Sequence, residues 1–142
     1  MTMLLAGLAV AGLPLLASQQ PAGATTTTDT KSGSLMFVDF NGHFESCTLT
    51  NQSTHDTDDP NHPTAKVTGS TSNGCTGPMS LTINFTDKDG AKQSVTTSSG
   101  NDSQSITAVV SGATTSVTTT ASVTFNGCDV QQCSLQVSAA PK

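Results

Sequence analysis

The stretch that decides the fold is LMFVDFNGHFESCTLT, from Leu35 to Thr50. It consists of two extended runs, rich in apolar and β-branched residues, on either side of Asn41-Gly42. An Asn-Gly pair between two such runs favours a hairpin with a type I′ turn, because both residues accept the positive φ that this turn requires. The first run is apolar on both faces, which is typical of a centrally placed strand. The second places Cys47 and Leu49 on one face.

The same two-residue periodicity continues downstream of this hairpin. Apolar and polar residues alternate in Met79 to Thr86, Ile106 to Val110, Val117 to Phe125 and Cys133 to Ala139, with a weaker run at Gln93 to Thr97. About seven or eight short strands without a helix signal predict an all-β fold. We expect a single antiparallel β-sandwich, immunoglobulin-like with Greek-key connections and stabilised by two disulfides. A closed barrel is the alternative.

The N-terminal residues 1–24 are predicted to be a signal peptide. The apolar run MLLAGLAVAGLPLLA, from Met3 to Ala17, precedes Ala22-Gly23-Ala24, the small-x-small pattern of a signal-peptidase site. The run is shorter than the roughly 20 residues that span a bilayer, and no second apolar stretch follows, so no membrane span is expected. Residues 25–34, TTTTDTKSGS, contain no apolar residue and are predicted to be a flexible Thr-rich tail. Residues 35–142 are then the β-sandwich domain of a secreted, extracellular protein.

The charge of the chain argues against two classes of partner. The formal net charge is −5, and all five cationic residues are Lys. Nucleic-acid binding needs clustered cations and relies heavily on Arg for base recognition. An anionic membrane surface attracts basic clusters as well. We therefore expect neither nucleic acid nor an anionic membrane as a partner.

Four cysteines, Cys47, Cys75, Cys128 and Cys133, are expected to stabilise a core that is poor in large side chains. Four cysteines allow three pairings. The segment CDVQQC, from Cys128 to Cys133, lies where two extended runs meet, and a hairpin there brings its ends to disulfide distance. We therefore predict the pairs Cys128–Cys133 and Cys47–Cys75. A zinc site of four thiolates is the alternative, but the spacings match no zinc-ribbon pattern.

The C-x4-C hairpin, from Gly127 to Val137, resembles the one in the apoproteins of enediyne antitumour antibiotics. These are secreted, acidic, immunoglobulin-like proteins with two disulfides. The resemblance implies a similar architecture and does not extend to chromophore binding. The other cysteine pair departs from that family, which closes a short first loop, whereas Cys47 and Cys75 are 28 positions apart.

The stretch HDTDDPNH, from His55 to His62, is the main candidate for a metal site, with the possible ligands His55, Asp56, Asp58, Asp59 and His62. Imidazoles with a carboxylate bind Zn²⁺, and carboxylates with backbone carbonyls bind Ca²⁺. However, the spacing of the two His residues aims their rings at no common point, unlike the i, i+4 pair of a helix. We interpret residues 51–66 as a mobile, solvent-exposed polar loop, with weak metal binding as the alternative. No cofactor is expected.

No catalytic motif selects an active site in this chain. A Gly-x-Ser-x-Gly motif is missing, and Asp39 and Glu45, the carboxylates nearest to apolar residues, fit solvent-facing strand positions. We expect no catalytic residue and no enzyme activity. The favoured function is a non-catalytic binding or adaptor module for another extracellular protein or cell-surface component, with a free tail that pairs along a partner's sheet edge. The alternatives are a small protease inhibitor, which uses the loop between Cys47 and Cys75, and a carrier of a small ligand or metal.

Overall fold

The computed structural model of the protein describes residues 25–57, 63–72, 75–128 and 133–142. These residues form eight β-strands and no helix, which confirms the predicted all-β class. The strands are β1 (Thr26–Val38), β2 (Phe44–Asp56), β3 (Thr64–Thr71), β4 (Met79–Thr86), β5 (Lys92–Ser98), β6 (Ser105–Ser111), β7 (Val117–Thr124) and β8 (Ser134–Ala139).

The strands form two antiparallel sheets of four strands each, as in a β-sandwich. The first sheet has the order β1-β2-β3-β6, and the second has the order β5-β4-β7-β8. The inner faces of both sheets supply the core, whose largest fully buried apolar side chains are Leu49, Val67, Met79, Leu81, Ile83 and Val123. The immunoglobulin-like Greek-key topology stays a prediction.

The N-terminal strand departs most from the sequence prediction. Strand β1 pairs with β2 along its whole length, from Thr26 opposite Asp56 to Val38 opposite Phe44. The prediction of a flexible tail over residues 25–34 is therefore wrong. Thr is β-branched and suits a half-exposed strand, so this run needs no large apolar residue to pair. The prediction of a central strand for residues 35–40 is also wrong, because β1 lies at the edge of its sheet.

The hairpin predicted around Asn41-Gly42 is present, but its turn differs from the prediction. The Asp39 N–H donates to the carbonyl oxygen of His43 (2.9 Å), and the Gly42 N–H donates to that of Asp39 (3.0 Å). These bonds enclose residues 40–42, and Gly42 has a φ of 82°. A type I turn followed by a left-handed residue is typical of such a three-residue loop. The type I′ turn is therefore wrong, while the hairpin itself is confirmed.

Both predicted disulfides are present, Cys47–Cys75 and Cys128–Cys133. The first joins the inner face of β2 to the connection between β3 and β4. Its residues are 28 positions apart, so in the loop-entropy model it stabilises the fold by roughly 3–4 kcal/mol. The second spans 5 positions and contributes less in the same model.

One side of the sandwich is closed by contacts between β1 and the C-terminal residues. Strand β1 of the first sheet lies beside β8 of the second, where a Cβ at Gly33 would lie 3.1 Å from Cγ2 of Val137. The Ala140 N–H donates to Oδ2 of Asp29 (2.9 Å), and the Thr27 hydroxyl donates to the carbonyl of Lys142. This contact with Ala140, followed by that with Lys31, lowers the pKa of Asp29. The segment predicted as a free tail is thus part of the wall of the sandwich.

A cluster of three polar side chains lies in the middle of the core; we call Asn51, Ser53 and Thr119 the polar cluster. All three are fully buried. Asn51 Nδ2 donates to Thr119 Oγ1 (3.0 Å) and to the carbonyl oxygen of Val137 (3.0 Å). Ser53 Oγ donates to Asn51 Oδ1 (2.7 Å) and is also hydrogen-bonded to the Thr119 hydroxyl. Within the described residues no buried side-chain N or O atom lacks a partner, so these bonds offset the cost of burial.

We predict that Asn51→Ala lowers the free energy of unfolding by about 2–4 kcal/mol, because it leaves buried groups of the cluster without partners. The control is Thr50→Ala on the outer face, where the Thr50 hydroxyl bonds only to Ser32 (2.9 Å). That change is expected to cost less than about 1 kcal/mol. Urea unfolding of both variants measures the difference, and equal losses would contradict the prediction.

Candidate functional site

His55, a candidate metal ligand, is a core residue. Its side chain is 3% exposed, and its Nε2 lies 3.0 Å from the carbonyl oxygen of Ala113. Because a carbonyl only accepts hydrogen bonds, this contact places a ring proton on Nε2. His55 shares the inward phase of β2 with Asn51 and Ser53. The prediction of a mobile, exposed loop over residues 51–66 is therefore wrong for residues 51–57 and 63–66.

Asp56, the other candidate ligand within the described residues, is not brought together with His55. Asp56 follows His55 in β2 and so points to the opposite face, where its carboxylate accepts from the Thr26 hydroxyl (3.2 Å). Asp58, Asp59 and His62 lie outside the described residues. In the part of the chain that the structure describes, no group of three or more His, Cys, Asp and Glu side chains could hold a metal ion.

Two surface hollows occur in the described part of the molecule, with volumes of about 370 and 410 Å³. The first lies beside the β4–β5 hairpin and has one apolar side chain, Phe85, among its lining residues. The second lies between β1 and the C-terminal residues, around Asp29 and Lys31. Ligand sites in proteins are mostly apolar with a few placed polar groups. Neither hollow is lined mostly by apolar side chains, and the Asp29–Lys31 ion pair lies in the wall of the second, so we place no ligand in either.

The hairpin between β1 and β2 carries the most exposed apolar side chains. Met36, Phe40 and Phe44 are 71%, 72% and 76% exposed, and we call these three residues the apolar tip. Met36 lies opposite Ser46, and Phe44 lies opposite Val38, so Met36 and Phe44 share the outward face as diagonal neighbours. Phe40 is in the turn itself. A soluble protein seldom groups its large apolar side chains on its surface unless they contact something.

The base of the same hairpin is firmly attached to the core. Phe37 points inward and stacks on Phe125, with ring centroids 5.6 Å apart. Asp39 forms an isolated bridge to Cys128, and Cys47 is tied by its disulfide to Cys75. The apolar tip therefore projects from a rigid base, which lowers the conformational entropy that binding would remove.

Asp39 fixes both the shape and the charge of the turn. Its Oδ1 accepts the backbone N–H groups of Asn41 (2.8 Å) and His43 (2.9 Å). The bond from His43, followed by that from Asn41, lowers the pKa of Asp39. Asp39 and the exposed Glu45 give the hairpin a negative charge, and Glu45 lies opposite Phe37, on the face away from Met36 and Phe44.

The hairpin between β4 and β5 has the same backbone turn with different side chains. Asp87 exchanges backbone bonds with Ala91 and Gly90 (2.9 and 3.0 Å), and Gly90 has a φ of 81°. Asp87 Oδ1 accepts the N–H groups of Asp89 and Ala91 at 2.9 Å each. The side-chain amide of Gln93, followed by the Ala91 N–H, lowers the pKa of Asp87. Lys88 and Lys92 stand in this hairpin where Phe40 and Phe44 stand in the other.

The two hairpins together show which side chains this turn requires. Both turns need the Asp acceptor and the left-handed Gly. Neither needs a Phe, because the β4–β5 turn is built with Lys at the corresponding positions. The exposed Phe residues therefore have no role in forming the turn.

Sequence reasoning missed the apolar tip, although the signal was present. Apolar residues occupy both faces of the run from residue 35 to residue 40, a pattern that predicts a central strand. In the structure Leu35 and Phe37 pack against the core, whereas Met36 and Phe40 are exposed at an edge. When an edge strand has apolar residues on both faces, the outward ones indicate a contact surface.

Comparisons with models of protein families, with curated proteins and with solved structures gave no match. The described residues include no helix that is long and apolar enough to cross a membrane. The interpretation of the site therefore depends on its own geometry.

We predict that His55→Ala lowers the melting temperature whether zinc, calcium or a chelator is present. The change removes a buried ring and leaves the Ala113 carbonyl unpaired, which costs about 2 kcal/mol or more. Thermal unfolding in the three buffers provides the measurement. If His55→Ala lowered the melting temperature only with added metal, His55 would bind an ion and would not stabilise the core directly.

We predict that Asp39→Ala destabilises the protein more than Asp39→Asn, because Asn keeps an oxygen that accepts the two N–H groups. Since the pKa of Asp39 is lowered by folding, its charge stabilises the fold fully above about pH 4, and this contribution is lost as the pH falls through the folded pKa. Asp39→Asn should thus weaken the acid sensitivity of the melting temperature between pH 7 and pH 2, approximately the range over which carboxylates titrate. Asp89→Ala, an exposed change in the other turn, is the control, and an equal effect would contradict the prediction.

Proposed function

We propose that the protein is a secreted, non-catalytic binding module whose contact surface is the apolar tip. The observation that carries this proposal is the difference between the two hairpins. The two hairpins share one backbone turn. The β4–β5 hairpin has Lys88 and Lys92 at two positions of this turn, and the β1–β2 hairpin has the exposed Phe40 and Phe44 at the same positions. Exposed aromatic side chains on a rigid base are typical of the residues that dominate binding energy in protein interfaces.

The proposed partner is another extracellular protein with an apolar pocket rimmed by Lys or Arg. The tip supplies the apolar residues, and the negative charges of Asp39 and Glu45 in the same hairpin favour a cationic rim. The net charge of −5 favours the same partner over long range. An anionic lipid surface is disfavoured, because carboxylates next to the inserting side chains would be repelled from it.

Several observations support a non-catalytic function. His55 is buried in the core, and its Nε2–H is bonded to the Ala113 carbonyl oxygen, which supports a structural role for this residue. The Cys47–Cys75 segment, which was the candidate inhibitory loop, consists largely of β2 and β3 and is therefore not a single exposed loop. Neither hollow is lined mostly by apolar side chains, which gives no support to the carrier alternative.

An extracellular location is part of the proposal. Its support is the signal-peptide pattern of residues 1–24 together with two disulfides, which persist in oxidising compartments and are rare in the cytosol. The experiment that follows uses secreted material for this reason.

We predict that the double change Phe40→Lys/Phe44→Lys abolishes binding without disturbing the fold, because Lys occupies the matching positions of the β4–β5 hairpin. Immobilised wild-type and variant proteins would be used to capture partners from the culture supernatant, and a captured protein would then be titrated. We expect the affinity to fall at least about 30-fold, as for the loss of one or more interface hot spots. Added salt should weaken wild-type binding as well.

The matched control is Lys88→Ala/Lys92→Ala, which changes the tip of the other hairpin and should leave capture unchanged. Equal capture by the wild type and the Phe40/Phe44 variant would overturn the proposal. Binding of the wild type to anionic vesicles, with no captured protein, would assign the tip to a lipid surface instead.

A further inference from the structure

A sandwich has two open sides, where an edge strand of one sheet lies beside an edge strand of the other. In this protein the two sides differ in how far the chain covers them. On one side β1 and β8 cover one another through the contacts of Asp29 and Gly33 with the C-terminal strand and its following residues. The other side is bounded by the edge strands β5 and β6. On that side the two sheets are joined beyond the ends of the edge strands, where Thr114 Oγ1 donates to the carbonyl oxygens of Thr86 (3.0 Å) and Asp87 (2.9 Å).

Strand β5 has an inward face that its own chain leaves partly uncovered. Val95 lies opposite Ile83 in the β4–β5 ladder, and Ile83 is fully buried, so Val95 points to the same inner face. Val95 is nevertheless 39% exposed. Its inward neighbour Gln93 is exposed as well. The first sheet thus ends before it covers β5.

Strand β6, where the first sheet ends, has a free edge that is suited to pairing. Its sequence SITAVVS contains no charge and no Pro. It pairs with β3 in unbroken register, from Ser105 opposite Ser70 to Ser111 opposite Thr64, so no bulge interrupts it. Exposed edges usually carry a charge, a Pro or a bulge that prevents pairing. Strand β6 has none of these features, and its exposed Val109 offers a partner an apolar side chain on the outer face.

These two features are complementary, because a strand added to β6 would lie opposite the uncovered face of β5. One insertion would satisfy the unpaired backbone groups of β6 and bury Val95. The charges nearby restrict the sequence of that strand. Strands β3, β5 and β6 together carry Lys66 and Lys92 and no carboxylate. Lys66 lies opposite Val109 on the outer face of the first sheet, whereas Lys92 is out of phase with Val95 and points to the outer face of the second sheet.

We propose that β6 is a second docking edge, which accepts an extended segment of another protein as a fifth strand of the first sheet. About seven residues of that segment would match the length of β6 and would alternate in polarity. Apolar side chains would point inward against Val95. Acidic side chains would point outward, towards the row that contains Val109 and Lys66. This site is separate from the apolar tip and does not depend on it.

The test uses the full, oxidised chain and two synthetic peptides, VEVTVEV and VKVTVKV, with blocked termini. Their valines can occupy the inward phase, and they differ only in the charge of two outward residues. We expect the acidic peptide to bind about threefold more tightly than the basic one, because the outward Lys residues of the latter share the outer face of the first sheet with Lys66. Hydrogen exchange should show new protection in residues 105–111 and none in β8.

Val95→Lys should weaken binding of the acidic peptide, since it places a charge where inward valines must pack. Phe40→Lys/Phe44→Lys is the control and should leave the peptide affinity unchanged, which separates this site from the apolar tip. Equal binding of the two peptides, or protection that arises outside β6, would overturn the proposal. If Val95→Lys unfolds the chain, the comparison of the two peptides on the wild-type protein still decides.

Discussion

The polar cluster of Asn51, Ser53 and Thr119 is the interaction on which the rest of the structure depends. It connects β2 of the first sheet to β7 and β8 of the second through side-chain and backbone hydrogen bonds. Apolar contacts tolerate small displacements, whereas buried hydrogen bonds require particular partners. A slip of β2 by one residue would turn Asn51 and Ser53 outward and leave Thr119 and the Val137 carbonyl without these partners. The cluster thus fixes the register of β2, and with it the positions of β1 and the hairpin.

A fixed register explains how one hairpin can be both rigid and exposed. Inward residues of β2 follow one another from Cys47 to His55, and each is held by a disulfide, by the core or by a hydrogen bond. Near the turn, Phe37 stacks on Phe125, but the outward residues of the same segment have no neighbouring strand to cover them. The core therefore positions the apolar tip without burying it.

Alternating polarity predicted the parts of the fold in which inward residues are apolar, such as β4 and β7, as well as both disulfides. It missed the parts in which inward residues are polar. Asn51, Ser53 and His55 continue the phase of Cys47 and Leu49, but their side chains resemble those of a loop. Residues 26–34 were missed because an edge strand made of Thr and Ser has the composition of a disordered tail. Their partners are the polar half of β2 and the C-terminal residues, which lie far away in the sequence.

The remaining surface makes the two proposed docking features distinct. The outer faces of both sheets consist largely of hydroxyl side chains that bond across strands, as in the pairs Ser32–Thr50, Ser34–Thr48 and Thr120–Ser138. Such faces are well hydrated and offer neither apolar area nor charge to a partner. The apolar tip and the β5–β6 side depart from this pattern in opposite ways. The tip is apolar and acidic, whereas the β5–β6 side has a strand edge with unpaired backbone groups and two Lys residues. Their charges differ in sign, so the two surfaces should select different partners.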